Sequence, residues 1–93
     1  MAVVNIGGQT IHSFFRFKPG ITVDKAEKRG EKTKSEIYKK LALLIIDEIS
    51  MVRADLFDCV DVFLRKSRQN EKTFGEIQLL LIGNLYQLPP VFN

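Results

Sequence analysis

The hydrophobic positions along the chain define two strands with a helix between them. Residues 41–46 are apolar throughout, and residues 77–82 are apolar except for one glutamine. Continuous apolar runs of this length are typical of strands buried on both faces of a parallel sheet. Residues 54–66 instead place their large apolar side chains on one stripe of a helix. These side chains are Leu56, Phe57, Val60, Phe63 and Leu64. The pattern therefore predicts a βαβ unit in a parallel sheet.

In the first part of the chain, the pattern of apolar residues predicts shorter elements. Residues 2–6 form a brief apolar segment that a pair of glycines interrupts. The apolar side chains at positions 11, 14 and 15 then recur at helical spacing, so we predict a short helix, with Thr10 as a candidate cap. The phenylalanines of this segment are more typical of a core than of a base-stacking surface. The lone His12 is more typical of a core or boundary residue than of a metal ligand, because metal ligands would have to come from elsewhere.

Two polar segments predict exposed loops. Residues 22–33 and residues 69–75 lack a regular apolar period, and Pro19 and Gly20 mark a turn before the first of them. Between the loops and the strands, residues 35–40 predict a short helix with Ile37 and Leu41 on one face.

The positive charge of the chain is concentrated in one segment. The net charge is +3, but residues 16–40 hold nine Lys or Arg and four Asp or Glu, a local net charge of +5. A basic segment of this kind attracts polyanions such as nucleic acid. Because its acids are interleaved with its bases, the segment taken alone favours the alternative, a solvated, mixed-charge helix or loop.

Composition narrows the class of protein. The chain has 93 residues, 45% of them hydrophobic and 27% charged, which is typical of one small globular domain. No apolar run approaches the ~20 residues that a membrane-spanning helix needs, and no secretory signal is recognisable. Cys59 is the single cysteine, so we expect no internal disulfide and a reducing compartment.

Two adjacent carboxylates follow the first predicted strand. Asp47 and Glu48 come directly after the apolar run, at the carboxyl end where parallel sheets bind ligands. Nucleotide hydrolases need one carboxylate to hold Mg²⁺ and a second to orient or deprotonate the attacking water. The alternative reading is an acidic turn after a strand.

The second predicted strand also ends in a polar group. Gly83 follows the apolar run, and Gln87 comes soon after it in a rigid Leu-Pro-Pro setting. A fixed amide can bond a phosphate oxygen or a water and so respond to the bound nucleotide. The alternative reading is a proline-ended loop.

Three ordered segments together resemble a known family. Residues 8–15, Gly-Gln-Thr-Ile-His-Ser-Phe-Phe, resemble helicase motif Ia, and residues 45–52, Ile-Ile-Asp-Glu-Ile-Ser-Met-Val, resemble motif II. Residues 83–91, Gly-Asn-Leu-Tyr-Gln-Leu-Pro-Pro-Val, resemble motif III. Their order and spacing, and the connecting residues 53–56, are similar to the petite-integration-frequency helicases, RecD-like members of superfamily one. The resemblance spans nearly the whole chain.

The resemblance implies a function and a set of site residues. The family couples ATP hydrolysis to 5′-to-3′ movement on single-stranded DNA. Asp47 would hold Mg²⁺, Glu48 would activate water, and Gln87 would lie by the γ-phosphate. Thr10, His12 and Ser13 would lie near the DNA backbone. The implied fold is α/β, a partial RecA-like parallel sheet of the P-loop type with flanking helices.

The chain departs from the family pattern in two respects. The family has a Gly-Lys-Thr/Ser phosphate loop before motif Ia, whereas this chain begins after that point. Residues 30–33, Gly-Glu-Lys-Thr, do not fit the loop pattern and have no strand before them. The family also has Asp after the motif III glycine, where this chain has Asn84. The phosphate-loop strand would flank residues 77–82, so that edge is expected to lack its partner.

We therefore interpret residues 1–93 as part of helicase motor domain 1A. Its expected ligands in the complete protein are ATP, Mg²⁺ and single-stranded DNA, with the remaining helicase segments as partners and no membrane. The chain alone is expected neither to bind ATP and Mg²⁺ tightly nor to hydrolyse ATP. The rival hypotheses are a degenerate motor domain that binds DNA or protein without catalysis, and a truncated reading frame without activity. The expected location is the cytoplasm of a bacterium, or the nucleus or mitochondrion of a eukaryote.

Overall fold

A computed structural model of the chain describes residues 2–48 and 52–83, except for the side chain of residue 9. The described residues form a three-stranded sheet, in which β2 (Leu41–Asp47) lies between β1 (Ala2–Gly7) and β3 (Gln78–Leu81), with helices along the chain between the strands. Both neighbouring pairs of strands are parallel. The predicted α/β class and its parallel sheet are therefore confirmed.

The central strand pairs with the amino-terminal segment. Strand β2 (Leu41–Asp47) lies beside β1 (Ala2–Gly7), and the register places Gly7 opposite Asp47. The apolar segment predicted at residues 2–6 is thus a strand of the sheet. Because the two strands are parallel and in this register, both end at the same edge, which we call the carboxyl edge.

Strand β3 (Gln78–Leu81) pairs with the other side of β2, as predicted for the two motif-bearing strands. The prediction that it is buried on both faces is wrong for Leu80 and Leu81, which are 48% and 46% exposed. The physical reason is that β3 is the outer strand of the described sheet, so only one side of it has a neighbour.

Helix α4 (Ala54–Ser67) forms the main packing surface of the core and confirms the predicted helix. Val60, Phe63 and Leu64 of its apolar stripe are fully buried, whereas Leu56 and Phe57 are partly buried at its start. The ring of Phe63 meets three other aromatic rings edge to face at centroid distances of 4.8–5.6 Å. These rings belong to Phe15, Phe17 and Tyr38. The aromatic side chains near residue 15 are core residues, as expected.

The loop predicted at residues 22–33 is wrong, because Val23–Lys32 form a helix, α2. The side chain of Thr22 caps it by accepting a hydrogen bond from the backbone N–H of Lys25 (3.3 Å). Its buried residues are Ala26 and Gly30, and a Cβ at Gly30 would lie 2.6 Å from the carbonyl oxygen of Phe63 in α4. Small residues thus replace the large apolar stripe from which a helix is normally recognised. Residues 30–33 end this helix, which supports rejecting them as a phosphate loop, since such a loop begins a helix.

The other short elements are close to prediction but differ in detail. Helix α1 (Ile11–Phe15) is present, yet Thr10 makes no cap, and its hydroxyl donates instead to the carbonyl of Gly7. Helix α3 (Ile37–Lys40) is shorter than predicted. Its buried residue is Tyr38, which donates to a carbonyl of α1 at 2.7 Å, while Ile37 is 40% exposed. The hydrogen bond is partly buried, so the tyrosine ring can lie in the core without leaving its hydroxyl unpaired.

The segment after α4 is ordered by one arginine. Arg68 donates hydrogen bonds from its guanidinium to the carbonyls of Tyr38, Leu41 and Gly75 at 2.7–2.8 Å. The predicted loop at residues 69–75 contains the start of a 3-10 turn, Thr73–Glu76. Arg68 thereby links the end of α4 to the start of β2 and to this turn.

Candidate functional site

The two adjacent carboxylates lie at the carboxyl edge of the sheet. Asp47 is the last residue of β2, and Glu48 follows it with a left-handed backbone conformation (φ 56°). A positive φ is uncommon for a residue with a side chain. The chain therefore turns sharply at Glu48, directly after the strand end that carries Asp47.

Gly8 allows the chain after β1 to touch the chain after β2. A Cβ at this position would lie 2.7 Å from the carbonyl oxygen of Glu48, 2.9 Å from Cγ2 of Val52 and 3.4 Å from the carbonyl oxygen of Asp47. A carbon atom cannot approach backbone at 2.7 Å without displacing it. Glycine is therefore required here for a steric reason, since no side chain fits between the two segments.

The side chains of Glu48 and Thr10 both lie close to Gly7. The position of a Cβ at Gly7 lies 3.7 Å from Oε1 of Glu48 and 4.0 Å from Oγ1 of Thr10. Thr10 is fixed by its hydrogen bond to the carbonyl of Gly7, at 2.8 Å. The candidate water-activating carboxylate and the first candidate DNA contact therefore share one edge of the sheet.

The other two candidate DNA contacts lie on α1. Ser13 is exposed and His12 is half-buried. His12 lines a shallow pocket of about 200 Å³ together with Arg53 and Leu56 at the start of α4. Arg53 is a further candidate DNA contact that was not predicted from the sequence. Its side chain lies 3.3 Å from the carboxylate of Asp55. The sequence feature that could have indicated Arg53 is its position directly after motif II.

Asp47 offers one carboxylate to a divalent cation. Among residues 2–48 and 52–83, no three His, Cys, Asp or Glu side chains are grouped as a metal site. Mg²⁺ characteristically takes one or two protein carboxylates and completes its shell with water and substrate phosphates. A single partly buried aspartate at a strand end is compatible with that arrangement, although it is not a complete metal site.

The third candidate residue of the nucleotide site, Gln87, lies outside the described residues, and so does Asn84. The structure therefore does not test the predicted proximity of Gln87 to the carboxylates. Gly83 is the last described residue after β3. Since β3 is parallel to β2, it ends at the same edge of the sheet that carries Asp47.

Residues 1–93 match the family described as PIF1-like helicase over their whole length. The chain belongs to the PIF1-like helicase family. This confirms the resemblance drawn from motifs Ia, II and III.

Relatives from distant organisms agree with this assignment. The chain is 42% identical over 94 residues to the ATP-dependent DNA helicase PIF1 of Saccharomyces cerevisiae, covering 98% of this chain and 11% of that protein. It is 40% identical over 102 residues to the ATP-dependent DNA helicase Pif1 of Campylobacter jejuni, covering 100% of this chain and 21% of that protein. The chain thus spans a small part of the length of these PIF1-like helicases.

The fold agrees with a solved relative. The structure matches the Pif1 helicase from Bacteroides, crystallised in complex with ADP-AlF3 and single-stranded DNA, with a TM-score of 0.73 and 33% identity. The match covers 98% of this chain and 24% of the Bacteroides chain. Within residues 2–48 and 52–83, no helix is both long enough and apolar enough to cross a membrane.

Proposed function

We propose that residues 1–93 are part of motor domain 1A of an ATP-dependent DNA helicase that moves 5′ to 3′ on single-stranded DNA. The observation that carries the proposal is the shared edge at which Glu48 and Thr10 flank Gly7. A motor must connect the site of ATP hydrolysis to the site of DNA contact, and here the two candidate sites are adjacent. The proposal is supported by PIF1-like relatives that are ATP-dependent DNA helicases.

The two carboxylates have different roles in this proposal. Asp47 would hold Mg²⁺, which would stabilise the negative charge that develops during phosphoryl transfer. Glu48 orients or deprotonates the attacking water as general base. The left-handed backbone conformation of Glu48, directly after Asp47, allows the two adjacent carboxylates to have separate roles. Gln87 is proposed to lie by the γ-phosphate.

The nucleic-acid contacts are proposed at the start of α1. Thr10 and Ser13 are exposed, and His12 is half-buried beside them. Hydroxyl and imidazole groups of this kind bond phosphate oxygens, which position a strand without reading its sequence. Binding is therefore expected to be independent of sequence and to weaken as salt concentration rises. The Bacteroides relative crystallised with single-stranded DNA supports this assignment.

The proposed compartment is one that contains DNA. For a bacterial protein this is the cytoplasm, and for a eukaryotic protein it is the nucleus or the mitochondrion. Relatives occur in both groups, as the yeast and Campylobacter helicases illustrate.

The test is the variant Glu48→Gln in a protein that joins this chain to the remaining helicase segments. Loss of the general base should reduce ATP turnover by about 10²–10⁴-fold. Binding of ATP and of single-stranded DNA should persist, because the amide keeps the shape of the carboxylate. Glu71→Gln is the matched control, since Glu71 is an exposed carboxylate away from the carboxyl edge, and it should turn over ATP normally.

The result that overturns the proposal is normal ATP turnover by Glu48→Gln. The 93-residue chain by itself is expected to show no steady release of phosphate with ATP, Mg²⁺ and single-stranded DNA. Positioning of the phosphates supplies most of the catalysis in such motors, and the lysine and backbone cradle that do so are not in its sequence. Steady turnover that Glu48→Gln abolishes would reveal a different phosphate site.

A further inference from the structure

A pocket of about 440 Å³ lies between α2 and the turn that follows α1. We call it the basic pocket, because its lining contains six cations and no carboxylate. The cations are Arg16, Lys18, Lys25, Lys28, Arg29 and Lys32. Pro19, Gly20 and Ile21 complete the wall. None of these residues belongs to the candidate site at the carboxyl edge.

Helix α2 places four of its basic residues and two of its acidic residues on different faces. The helix positions 25, 28, 29 and 32 share one face, because residues three, four and seven apart are neighbours on a helix surface. Glu27 and Glu31 occupy another face, where both carboxylates approach Nζ of Lys66 in α4, at 3.5 and 3.7 Å. These two acids, which are interleaved with the bases in the sequence, are thereby turned away from the basic pocket.

The cations of the basic pocket are not neutralised within the described part of the chain. None of the six lies within 4.0 Å of a carboxylate there, whereas Arg53, Arg65, Lys66 and Lys72 all do. In the same residues, Nε of Arg29 is buried and has no hydrogen-bond partner. Burying a donor without an acceptor is unfavourable, so the guanidinium group of Arg29 keeps an unmet hydrogen-bonding requirement beside the pocket.

The positive charges of two pocket residues act on a neighbouring side chain, that of Tyr38. Burial raises the pKa of the Tyr38 phenol, and the charges of Arg16 and Arg29 oppose that rise. Both guanidinium groups thus lie within electrostatic reach of the same hydroxyl, although they come from different elements. These two arginines therefore lie close together, as the lining of the pocket also shows.

The basic pocket adjoins the candidate DNA contacts. Gly20 and Ile21 line both the basic pocket and the shallow pocket that contains His12 and Arg53. The surface is consequently continuous from α1, across these two shared residues, to the cationic face of α2. A chain of phosphates that contacts His12 can continue into the basic pocket, whereas a single small anion would occupy only one of the two.

We propose that the basic pocket is a second phosphate-binding surface, which holds the phosphodiester backbone of a nucleic-acid strand beyond the contacts of motif Ia. Lysines supply point charges, and the two arginines supply directed N–H donors to phosphate oxygens. The contacts reach the backbone only, so they add affinity without sequence preference. The class of ligand rests on the proposed DNA binding, but the surface is separate from Thr10, His12 and Ser13.

The experiment measures the affinity of the 93-residue chain for a fluorescein-labelled oligothymidine, without nucleotide, over a range of salt concentrations. The variant is Lys25→Gln/Lys28→Gln, and circular dichroism verifies its folding. Each lost phosphate contact should reduce the slope of log K against log salt by about 0.7, and two lost contacts should weaken binding roughly 25-fold near 0.1 M salt. The matched control is Lys39→Gln/Lys40→Gln, which removes the same charge from exposed lysines outside the pocket.

Weaker binding and a smaller salt slope in the pocket variant alone would support the proposal. Equal losses in the pocket and control variants would overturn it, because net charge would then explain both. Competition by inorganic phosphate or polyglutamate as effective as that by unlabelled oligothymidine would also overturn the assignment to a nucleic-acid backbone.

A third variant, His12→Ala/Ser13→Ala, separates the two proposals. Normal binding by this variant together with a loss in the pocket variant would refute the motif Ia contacts and leave the basic pocket standing. A loss only in His12→Ala/Ser13→Ala would refute the basic pocket and leave the proposed function intact.

Discussion

Helices α4 and α2 pack against each other but are stabilised in different ways. Helix α4 buries large side chains such as Phe63 and Leu64, which contact the sheet and the aromatic core. Helix α2 buries only Ala26 and Gly30, and its remaining residues are mostly charged. Hydrophobic burial accounts for the first helix, and close approach of two backbones accounts for the second. A helix with little apolar surface to bury can therefore devote one whole face to charge.

The largest expected effect is at the centre of α4. The variant Phe63→Ala removes a fully buried ring that meets three other aromatic rings. It should lower the free energy of unfolding by about 3–5 kcal/mol, which is a large share of the stability of a small domain. Urea denaturation followed by circular dichroism measures the change.

The matched control for this variant is Leu80→Ala, at a position that is 48% exposed on β3. It should cost far less, because less apolar surface leaves contact with the protein. Equal losses at both positions would mean that the core is not centred on α4.

An intermediate effect is expected where the two helices touch. In Gly30→Ala, the new Cβ would lie 2.6 Å from the carbonyl oxygen of Phe63 and 2.9 Å from Cβ of Lys66. Alanine favours helix formation by about 1 kcal/mol over glycine. The steric conflict should outweigh this gain and leave a net loss of about 1–3 kcal/mol.

Thermal unfolding tests the sign of this effect, since propensity alone predicts stabilisation. Gly83→Ala is the control, because no atom of residues 2–48 and 52–83 is found within 4 Å of its added Cβ, and its stability should change by less than about 0.5 kcal/mol. A stabilised Gly30→Ala variant would show that the two helices are farther apart than described.

The smallest effect is expected at the charges between the helices. Lys66 lies between Glu27 and Glu31, and its side chain is 41% exposed. Ion pairs exposed to this degree contribute about 0–1 kcal/mol, so Lys66→Gln should lower stability by no more than that. The loss should shrink further in high salt, because exposed charges are screened.

A loss as large as that of Gly30→Ala would contradict the assignment of α2 packing to steric fit. Urea denaturation at low and high salt distinguishes the two explanations.

The elements that could be predicted from the sequence are those that bury large apolar side chains, as α4 does and α2 does not. Strand β2 and helix α4 were predictable because their large apolar side chains repeat with a period that belongs to one kind of element. Helix α2 was not, since its buried positions are Ala26 and Gly30 and its cap, Thr22, lies in a polar segment. The aromatic neighbours of Tyr38 depend on contacts between segments far apart in the chain, which no local pattern encodes.

The candidate site was predictable in part. Asp47 and Glu48 stand out because carboxylates directly follow an apolar run. The position of Glu48 near Thr10 could not be predicted, because it depends on the register between β1 and β2, which no local pattern encodes. The basic pocket could not be predicted, since its charges become separated from their neighbouring acids only when α2 forms.

The contact of Gly8 with the carbonyl oxygens of Glu48 and Asp47 gives the carboxyl edge a mechanical property. Side chains can absorb small displacements by changing rotamer, but here the two main chains meet with none between them. Closely packed protein is nearly incompressible, so such a contact transmits strain. A shift of the main chain at Glu48 by a few tenths of an ångström would therefore push directly on Gly8 and, through it, on Thr10. Because the glycine keeps the two segments in contact, the carboxyl edge would pass a displacement from one segment to the other with little loss.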